Sequence, residues 1–254
     1  MTNAVAIVVP CFDEAARLDP DGLAELAKRA GAGLILVDDG STDGTGAALQ
    51  ALVDTAPERF VLLSQAVNAG KGEAVRVGLR HGLESGAGIV AYYDADLATP
   101  PAEMARLIAT LQDRPDLEVV MGARVGLLGH AIQRSMVRHY LGRVFATVSS
   151  LVLDLDVYDT QCGAKVFRDG PSLRTAVERP FTSRWVFDVE LLSRLHRGSA
   201  GTPGLPASAF LEVPLTEWRD VGGTKLSLRG ALRAAGDLAR IARAQRGARK
   251  PQSR

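Results

Sequence analysis

Asp94-Ala95-Asp96 sets two carboxylates on one side-chain alternation, directly after the apolar run Ile89–Tyr93. If that run is a parallel strand, both acids stand at its carboxyl end, where open α/β sheets bind ligands. Negative charge accumulates on a nucleoside diphosphate as it leaves, and a hard divalent cation held by oxygen ligands neutralises it there. Asp96 reads as the direct ligand of Mg2+ or Mn2+. Asp94 shares its face and suits a metal, a metal-bound water or a ribose. A D-x-D triplet also arises by chance in surface turns, so the assignment needs support from neighbouring strand ends.

That support comes from two earlier runs. Leu34–Val37 ends in Asp38-Asp39 and enters the turn Gly40-Ser41-Thr42-Asp43-Gly44-Thr45, where either acid of the pair could accept hydrogen bonds from a base or ribose. Asp43 fits turn and cap chemistry better than ligand binding. Val5–Pro10 likewise ends in Pro10-Cys11-Phe12-Asp13-Glu14, so three strands deliver polar residues to one edge. Asn68-Ala69-Gly70-Lys71-Gly72 looks like a phosphate loop but lacks the G-x-x-x-x-G-K-S/T spacing, which disfavours a Walker-type nucleotidase. Lys71 can still reach a diphosphate. No G-x-G-x-x-G follows the first strand, which argues against a dinucleotide-binding oxidoreductase.

An acceptor must also be held. A phosphate monoester is largely ionised near neutral pH, its second pKa being about 6, and needs cations rather than a base. Arg124, Arg134 and Arg138 offer guanidinium groups that match phosphate oxygens, with Arg134 and Arg138 four residues apart on one helical face. The same arginines could simply solvate that face. A hydroxyl acceptor would instead require a carboxylate base, for which Asp188 or Glu190 is the candidate. The competing role for both is a structural ion pair with Arg184, and Trp185 fits the core or a pocket wall.

The elements that must position these groups follow from periodicity. Short β-branched runs at Val5–Pro10, Leu34–Val37, Phe60–Leu63, Ile89–Tyr93 and Val119–Gly122 alternate with helical patterns at Asp21 to Ala30, Lys71 to Leu83 and Pro101 to Leu111. Such alternation predicts an α/β fold with a mostly parallel central sheet flanked by helices. A long helix from about Ile132 to Leu153 follows, with Val137, Tyr140, Leu141, Val144, Phe145 and Val148 on one stripe. Gly198 to Ser208 reads as a surface loop and 248–254 as a disordered tail.

Composition bounds the rest. The 254 residues are 46% hydrophobic and 23% charged, enough for one compact unit, and the net charge of +1 gives no global field toward nucleic acid. Cys11 and Cys162, in no metal or redox spacing, read as reduced thiols, so a cytoplasmic setting is expected. The start of the chain lacks signal-peptide features, and Val144 to Leu153 is about half of the ~20 residues that a spanning helix needs.

Taken together, the segments Val8 to Glu14, Val37 to Asp43, Asn68 to Gly72, Asp94 to Asp96 and Gly122-Ala123-Arg124 resemble the family 2 glycosyltransferases of GT-A fold. Gln133-Arg134-Ser135, Asp159 to Lys165, Arg184 to Leu192, and Trp218 with Gly223 to Leu226 resemble its dolichyl-phosphate β-glucosyltransferase branch. The resemblance implies a single domain over 1–247, with a nucleotide-sugar half at 1–122 and an acceptor half at 123–247. It implies Pro10, Phe12, Glu14 and Asp39 around uracil and ribose, Lys71 and Asp94 beside the nucleotide, and Asp96 on Mg2+ or Mn2+. UDP-glucose is then the expected donor and a polyprenyl phosphate the expected acceptor, with inversion at the anomeric carbon. Related polyprenyl-phosphate mannosyltransferases, which use GDP-mannose, often carry glutamine where this chain has Ala98. Eukaryotic members of the glucosyl branch carry an N-terminal membrane helix that this sequence does not show, which leaves transfer to a hydroxyl of a soluble or polysaccharide acceptor as the alternative. The basic amphipathic stretch Leu226 to Arg246 could rest peripherally on an anionic membrane face, or pack on the domain with its arginines in solvent.

Overall fold

A computed structural model describes residues 4–132, 136–199, 201–219, 221 and 236–243, with the backbone alone for 136–141, 143 and 144. The first half alternates strand and helix as its periodicity requires: β1 (Val5–Cys11), α1 (Pro20–Ala30), β2 (Gly33–Asp38), α2 (Thr45–Thr55), β3 (Phe60–Ser64), α3 (Lys71–Glu84), β4 (Ile89–Tyr93), α4 (Pro101–Asp113) and β5 (Val119–Ala123). There follow β6 (Ala131–Ile132), α5 (Met136–Leu153), β7 (Ala164–Arg168), α6 (Pro171–Glu178), α7 (Phe187–Arg197), β8 (Phe210–Pro214) and β9 (Glu217–Trp218). Local chemistry sets the ends. The Asp19 carboxylate accepts from Gly22 N–H to cap α1, with Pro20 in its first turn, and Gly31 closes it in the left-handed region.

Seven strands form one sheet in the order β3-β2-β1-β4-β7-β5-β8. β1, β2, β3 and β4 run parallel, whereas β7 is antiparallel to both of its neighbours, β4 and β5. Period-two alternation sends Ile7, Val9, Leu34 and Leu36 to one face, against Leu23 and Leu26 of α1 and Met104, Leu107 and Leu111 of α4. Val8, Ile35 and Val37 face the other way, against Val75 and Leu79 of α3 and Phe187 and Leu191 of α7. Both faces are therefore buried, and the inner strands read as near-continuous apolar runs. Each such fully buried aliphatic side chain stabilises the fold by about 1.5–3 kcal/mol.

Two expectations change, and one open alternative is decided in part. The long helix starts at Met136, because Ala131–Ile132 pairs in parallel with Glu217–Trp218 as a small second sheet. On α5, Phe145 is half-buried, but Val148 of the same expected stripe is exposed, as is Leu151. In the C-terminal stretch, the helix at 236–243 puts Leu238 and Ile241 in the core cluster that also holds residues of α3 and α7, with Arg240 and Arg243 exposed, which is the alternative of packing on the domain. The Gly223 to Leu226 segment and the 248–254 tail lie outside the described residues.

Candidate active site

The sheet brings the expected groups to one edge. Cys11 is in register with Asp38, and β4 ends at Tyr93 beside Ala164, the first residue of antiparallel β7. The segments after β1, β2, β4 and β5 and the segment before β7 thus converge.

On the nucleotide side the first two segments are laced together. Asp13 Oδ1 accepts from Thr42 N–H, Ser41 Oγ from Asp13 N–H, Thr45 Oγ1 from Glu14 N–H and Asp43 Oδ2 from Ala15 N–H. Asp43 also accepts from Thr45 N–H at 3.0 Å, which is the turn role expected of it, while the N-cap position of α2 is Gly44 with no side-chain cap. Pro10 is buried within β1 opposite Val37, Phe12 is 43% exposed on the rim, and the Glu14 carboxylate pairs with Arg17. Asp39 is buried and its two oxygens accept from Ala69 and Gly70 N–H at 2.7 and 2.8 Å. Its first visible work is to shape the loop that carries Lys71. Gly72 N–H is likewise taken, by the Arg184 carbonyl at 3.1 Å, so this loop contributes its lysine and not a cradle of open amides.

Lys71 Nζ lies 2.5 Å from Asp94 Oδ1, with the two side chains 28% and 33% exposed. Burial alone would raise the Asp94 carboxyl, but the Lys71 charge holds it below the usual carboxylate range. Asp96 accepts from Ala98 N–H at 3.1 Å, and burial followed by the Asp94 charge pushes its carboxyl up. Gly163 closes the site from behind: its carbonyl accepts from Asp94 N–H at 3.0 Å, and a Cβ there would lie 2.0 Å from Asp94 Oδ2. Only glycine lets that carboxylate occupy its place. Among the described residues no group of three or more histidine, cysteine or acidic side chains is placed to hold a metal. Two hard carboxylates at an open strand edge still fit Mg2+ or Mn2+, ions that commonly take one or two protein carboxylates and fill the remaining positions with substrate phosphate and water.

The expected acceptor cations fare differently. Arg124 forks onto Asp159 at 2.6 and 2.8 Å and lies 5.3 Å from the centre of the Trp218 ring. Burial alone would lower its pKa, but Asp159 raises it overall, so its charge is already matched within the wall. Arg134 lies outside the described residues, and of Arg138 only the backbone, in the first turn of α5, is described.

Neither candidate base pairs with Arg184. Asp188 is buried and receives Lys165 Nζ at 2.9 Å together with the Tyr92 hydroxyl. Lys165 also donates to Tyr92 Oη at 2.7 Å and to the Cys162 carbonyl at 2.6 Å. Burial pushes the Asp188 carboxyl up to about 8 and the Lys165 ammonium down to about 8. Glu190 accepts from Arg194 at 2.7 Å and from Thr182 N–H at 2.8 Å. Arg184 instead reaches the 68–69 carbonyls, and Trp185 is 61% exposed rather than part of the core. Lys165, Tyr92, Asp159 and Gly163 had no role assigned from sequence. A lysine inside the apolar run Ala164-Lys165-Val166-Phe167 was the available signal, since a lysine so placed is almost never fully buried without a partner.

Comparison with known proteins gives the family and the fold. The family model described as "Glycosyl transferase family 2" matches residues 6–171. A dolichyl-phosphate beta-glucosyltransferase of Trichomonas vaginalis is 30% identical over 248 residues, covering 92% of this chain and 69% of that protein. A polyprenol monophosphomannose synthase of Mycolicibacterium smegmatis is 27% identical, covering 76% and 70% respectively. Among solved structures, glucosyl-3-phosphoglycerate synthase from Mycobacterium tuberculosis, in complex with Mn2+, UDP and its glucosylated product, superposes with a TM-score of 0.64. That match has 20% identity and covers 98% of this chain and 81% of the other, which shows a common GT-A fold.

Proposed function

The chain belongs to the family 2 glycosyltransferases, and from that premise we propose that it moves a hexose, glucose from UDP-glucose, onto a polyprenyl-type phosphate with inversion. The observation that carries the acceptor class is the state of the two candidate bases. A hydroxyl acceptor must lose its proton during attack, yet Asp188 is tied to Lys165 and Tyr92, and Glu190 to Arg194 and Thr182. A phosphate acceptor arrives ionised and asks for no base.

In this reading Phe12 and Asp39 border the base and ribose, with Pro10 and Glu14 behind them, and Lys71 meets the diphosphate. Asp94 and Asp96 hold Mg2+ or Mn2+, which when bound supplies compensation for the charge on departing UDP. Lys71 is already matched to Asp94, so the lysine moves from carboxylate to phosphate oxygens as the donor enters. An acceptor oxygen attacks the anomeric carbon as its bond to the UDP oxygen breaks, and no proton changes hands. Arg134 and Arg138 hold the acceptor phosphate, while Arg124 stays with Asp159 and stiffens the wall. Residues 1–122 serve as the donor half and 123–247 as the acceptor half of one domain. No helix among the described residues is long and apolar enough to cross a membrane, and we place the protein peripherally, at a cytoplasmic membrane face.

The test is transfer of radiolabelled sugar from UDP-glucose, with GDP-mannose in parallel, to a short polyprenyl phosphate in Mn2+ with and without chelator. Chelator-sensitive glucosyl-phosphate lipid is the expected product. Lipid product from GDP-mannose alone would correct the donor. Product on soluble sugars with none on lipid would overturn the acceptor and return Asp188 to the role of base.

A further inference from the structure

We propose that Arg184 is the positioning residue that sets Lys71 for the donor diphosphate, so that the donor half is completed by a side chain from the acceptor half. The inference rests on the reading of Lys71 as a diphosphate-binding group.

Lys71 begins α3, and everything before it in the loop is loop backbone whose path must be fixed by other parts of the fold. On one side Asp39 accepts from the N–H groups of Ala69 and Gly70. On the other side Arg184 donates Nε to the Ala69 carbonyl at 3.0 Å and Nη2 to the Asn68 carbonyl at 2.7 Å, and also meets the Asn68 side-chain oxygen. The loop is thus gripped on its amides by an anion and on its carbonyls by a cation. Gly72 N–H closes the contact by donating to the Arg184 carbonyl.

Gly70 shows that the fit is close. It sits at φ +100°, and a Cβ there would lie 2.7 Å from Arg184 Nε and 2.8 Å from its Cβ. A side chain at position 70 would therefore push the arginine off the loop, besides straining the backbone.

Arg184 itself is held. Ser183 Oγ accepts from Val186 N–H at 2.8 Å and donates to Asp237 Oδ2 at 2.5 Å, and Glu190 of α7 accepts from Thr182 N–H. The arginine therefore projects from a braced turn onto a loop whose amides are held by Asp39 on the other side. The planar fork spans two successive carbonyls, which a lysine ammonium cannot do from the same stem. Without the fork, residues 68–70 gain conformations in which Lys71 Nζ leaves Asp94 and the diphosphate position.

The experiment uses the full chain and UDP with Mn2+ as the probe, measured by calorimetry, beside the thermal midpoint and steady-state KM and kcat for UDP-glucose. Arg184→Ala and Arg184→Lys are each expected to weaken UDP binding about tenfold and to raise KM more than they lower kcat. Because the residue is exposed, the thermal midpoint should move little. In a Lys71→Ala background, Arg184→Ala is expected to have no further effect on UDP binding, since nothing remains to be positioned. Lys71→Ala weaker but Arg184→Ala unchanged would overturn this inference alone. Full additivity of the two losses would overturn it as well, by showing a direct role for the arginine. UDP binding unchanged in Lys71→Ala would overturn the donor reading and the inference together.

Discussion

Two acid–lysine pairs stand side by side in this fold and do opposite things. Lys71 and Asp94 meet at 2.5 Å at the strand edge with about a third of each side chain in solvent, whereas Lys165 and Asp188 meet at 2.9 Å with 0% and 6% exposed. The first pair can exchange partners, because about a third of each side chain is open to solvent and to an incoming phosphate. The second cannot, because its ammonium is also tied to Tyr92 and the Cys162 carbonyl. Accessibility, more than distance, separates a pair that can serve a ligand from one that holds an interior together.

The strongest way to break this comparison is to remove one lysine from each pair. Lys165→Met leaves the Asp188 carboxyl buried with Tyr92 and Gln161, where it takes up a proton, and the expected loss of folding stability is about 1–3 kcal/mol, the usual cost of leaving a buried polar group without its partner. Lys71→Met should change stability by no more than about 1 kcal/mol, as for a pair open to solvent. Urea denaturation of both variants decides it. Equal losses would mean that the two pairs are not different in kind.

Activity should divide the other way. Asp96→Ala is expected to lower kcat/KM by about 10²–10³-fold, the range seen when one electrostatic stabiliser of a developing charge is lost. Asp188→Asn, which keeps the shape of the interior pair, should retain transfer to a lipid phosphate within about tenfold, where loss of a true general base costs about 10²–10⁴-fold. A collapse of transfer in Asp188→Asn with an unchanged melting curve would place that carboxylate in the chemistry.

A smaller effect follows from pH. Burial and the Asp94 charge raise the Asp96 carboxyl above its ordinary value, while Lys71 keeps Asp94 ionised. A cation binds the deprotonated form, so affinity for Mn2+ should rise with pH through the raised Asp96 value and be lost below it, beginning above the ordinary carboxylate range. Calorimetric titrations in buffers of different ionisation enthalpy should count a fraction of a proton released at the acid end and none well above it. Proton release that is unchanged in Asp96→Asn would assign it to another group.

The same contrast explains what could be read from sequence. The parallel half was legible because the inner strands β1, β2 and β4 are buried on both faces and run directly into segments that carry acids, so Asp94, Asp96 and Asp39 fall on one edge by chain order alone, with Lys71 after the loop that follows β3. The second half was not, because β7 enters between β4 and β5 in the antiparallel sense. Nothing local says that Lys165 lies opposite Tyr92 or that Asp188 turns inward to both. Arg184, four residues before Asp188, was the nearer partner in sequence, and tertiary placement overrode it with a lysine 23 residues away. Arg124 failed as a free cation for the same reason: its partner, Asp159, is 35 residues distant.

The smallest expected effect concerns the helix at 236–243, where buried and exposed groups are again divided. Leu238 and Ile241 are in the core, while Arg240 is 58% exposed and pairs with Asp237 of its own helix, and Arg243 is exposed. If this face meets an anionic membrane, it does so through charge and not through inserted apolar area. Each basic side chain near such a surface contributes about 1 kcal/mol. Arg240→Glu with Arg243→Glu should therefore weaken co-sedimentation with phosphatidylserine vesicles by at least tenfold at low salt, and much less at high salt, with the melting curve unchanged. Truncating the helix would not test this, since loss of Leu238 and Ile241 opens the core. Vesicle binding that survives both charge reversals would show that these arginines only solvate the helix.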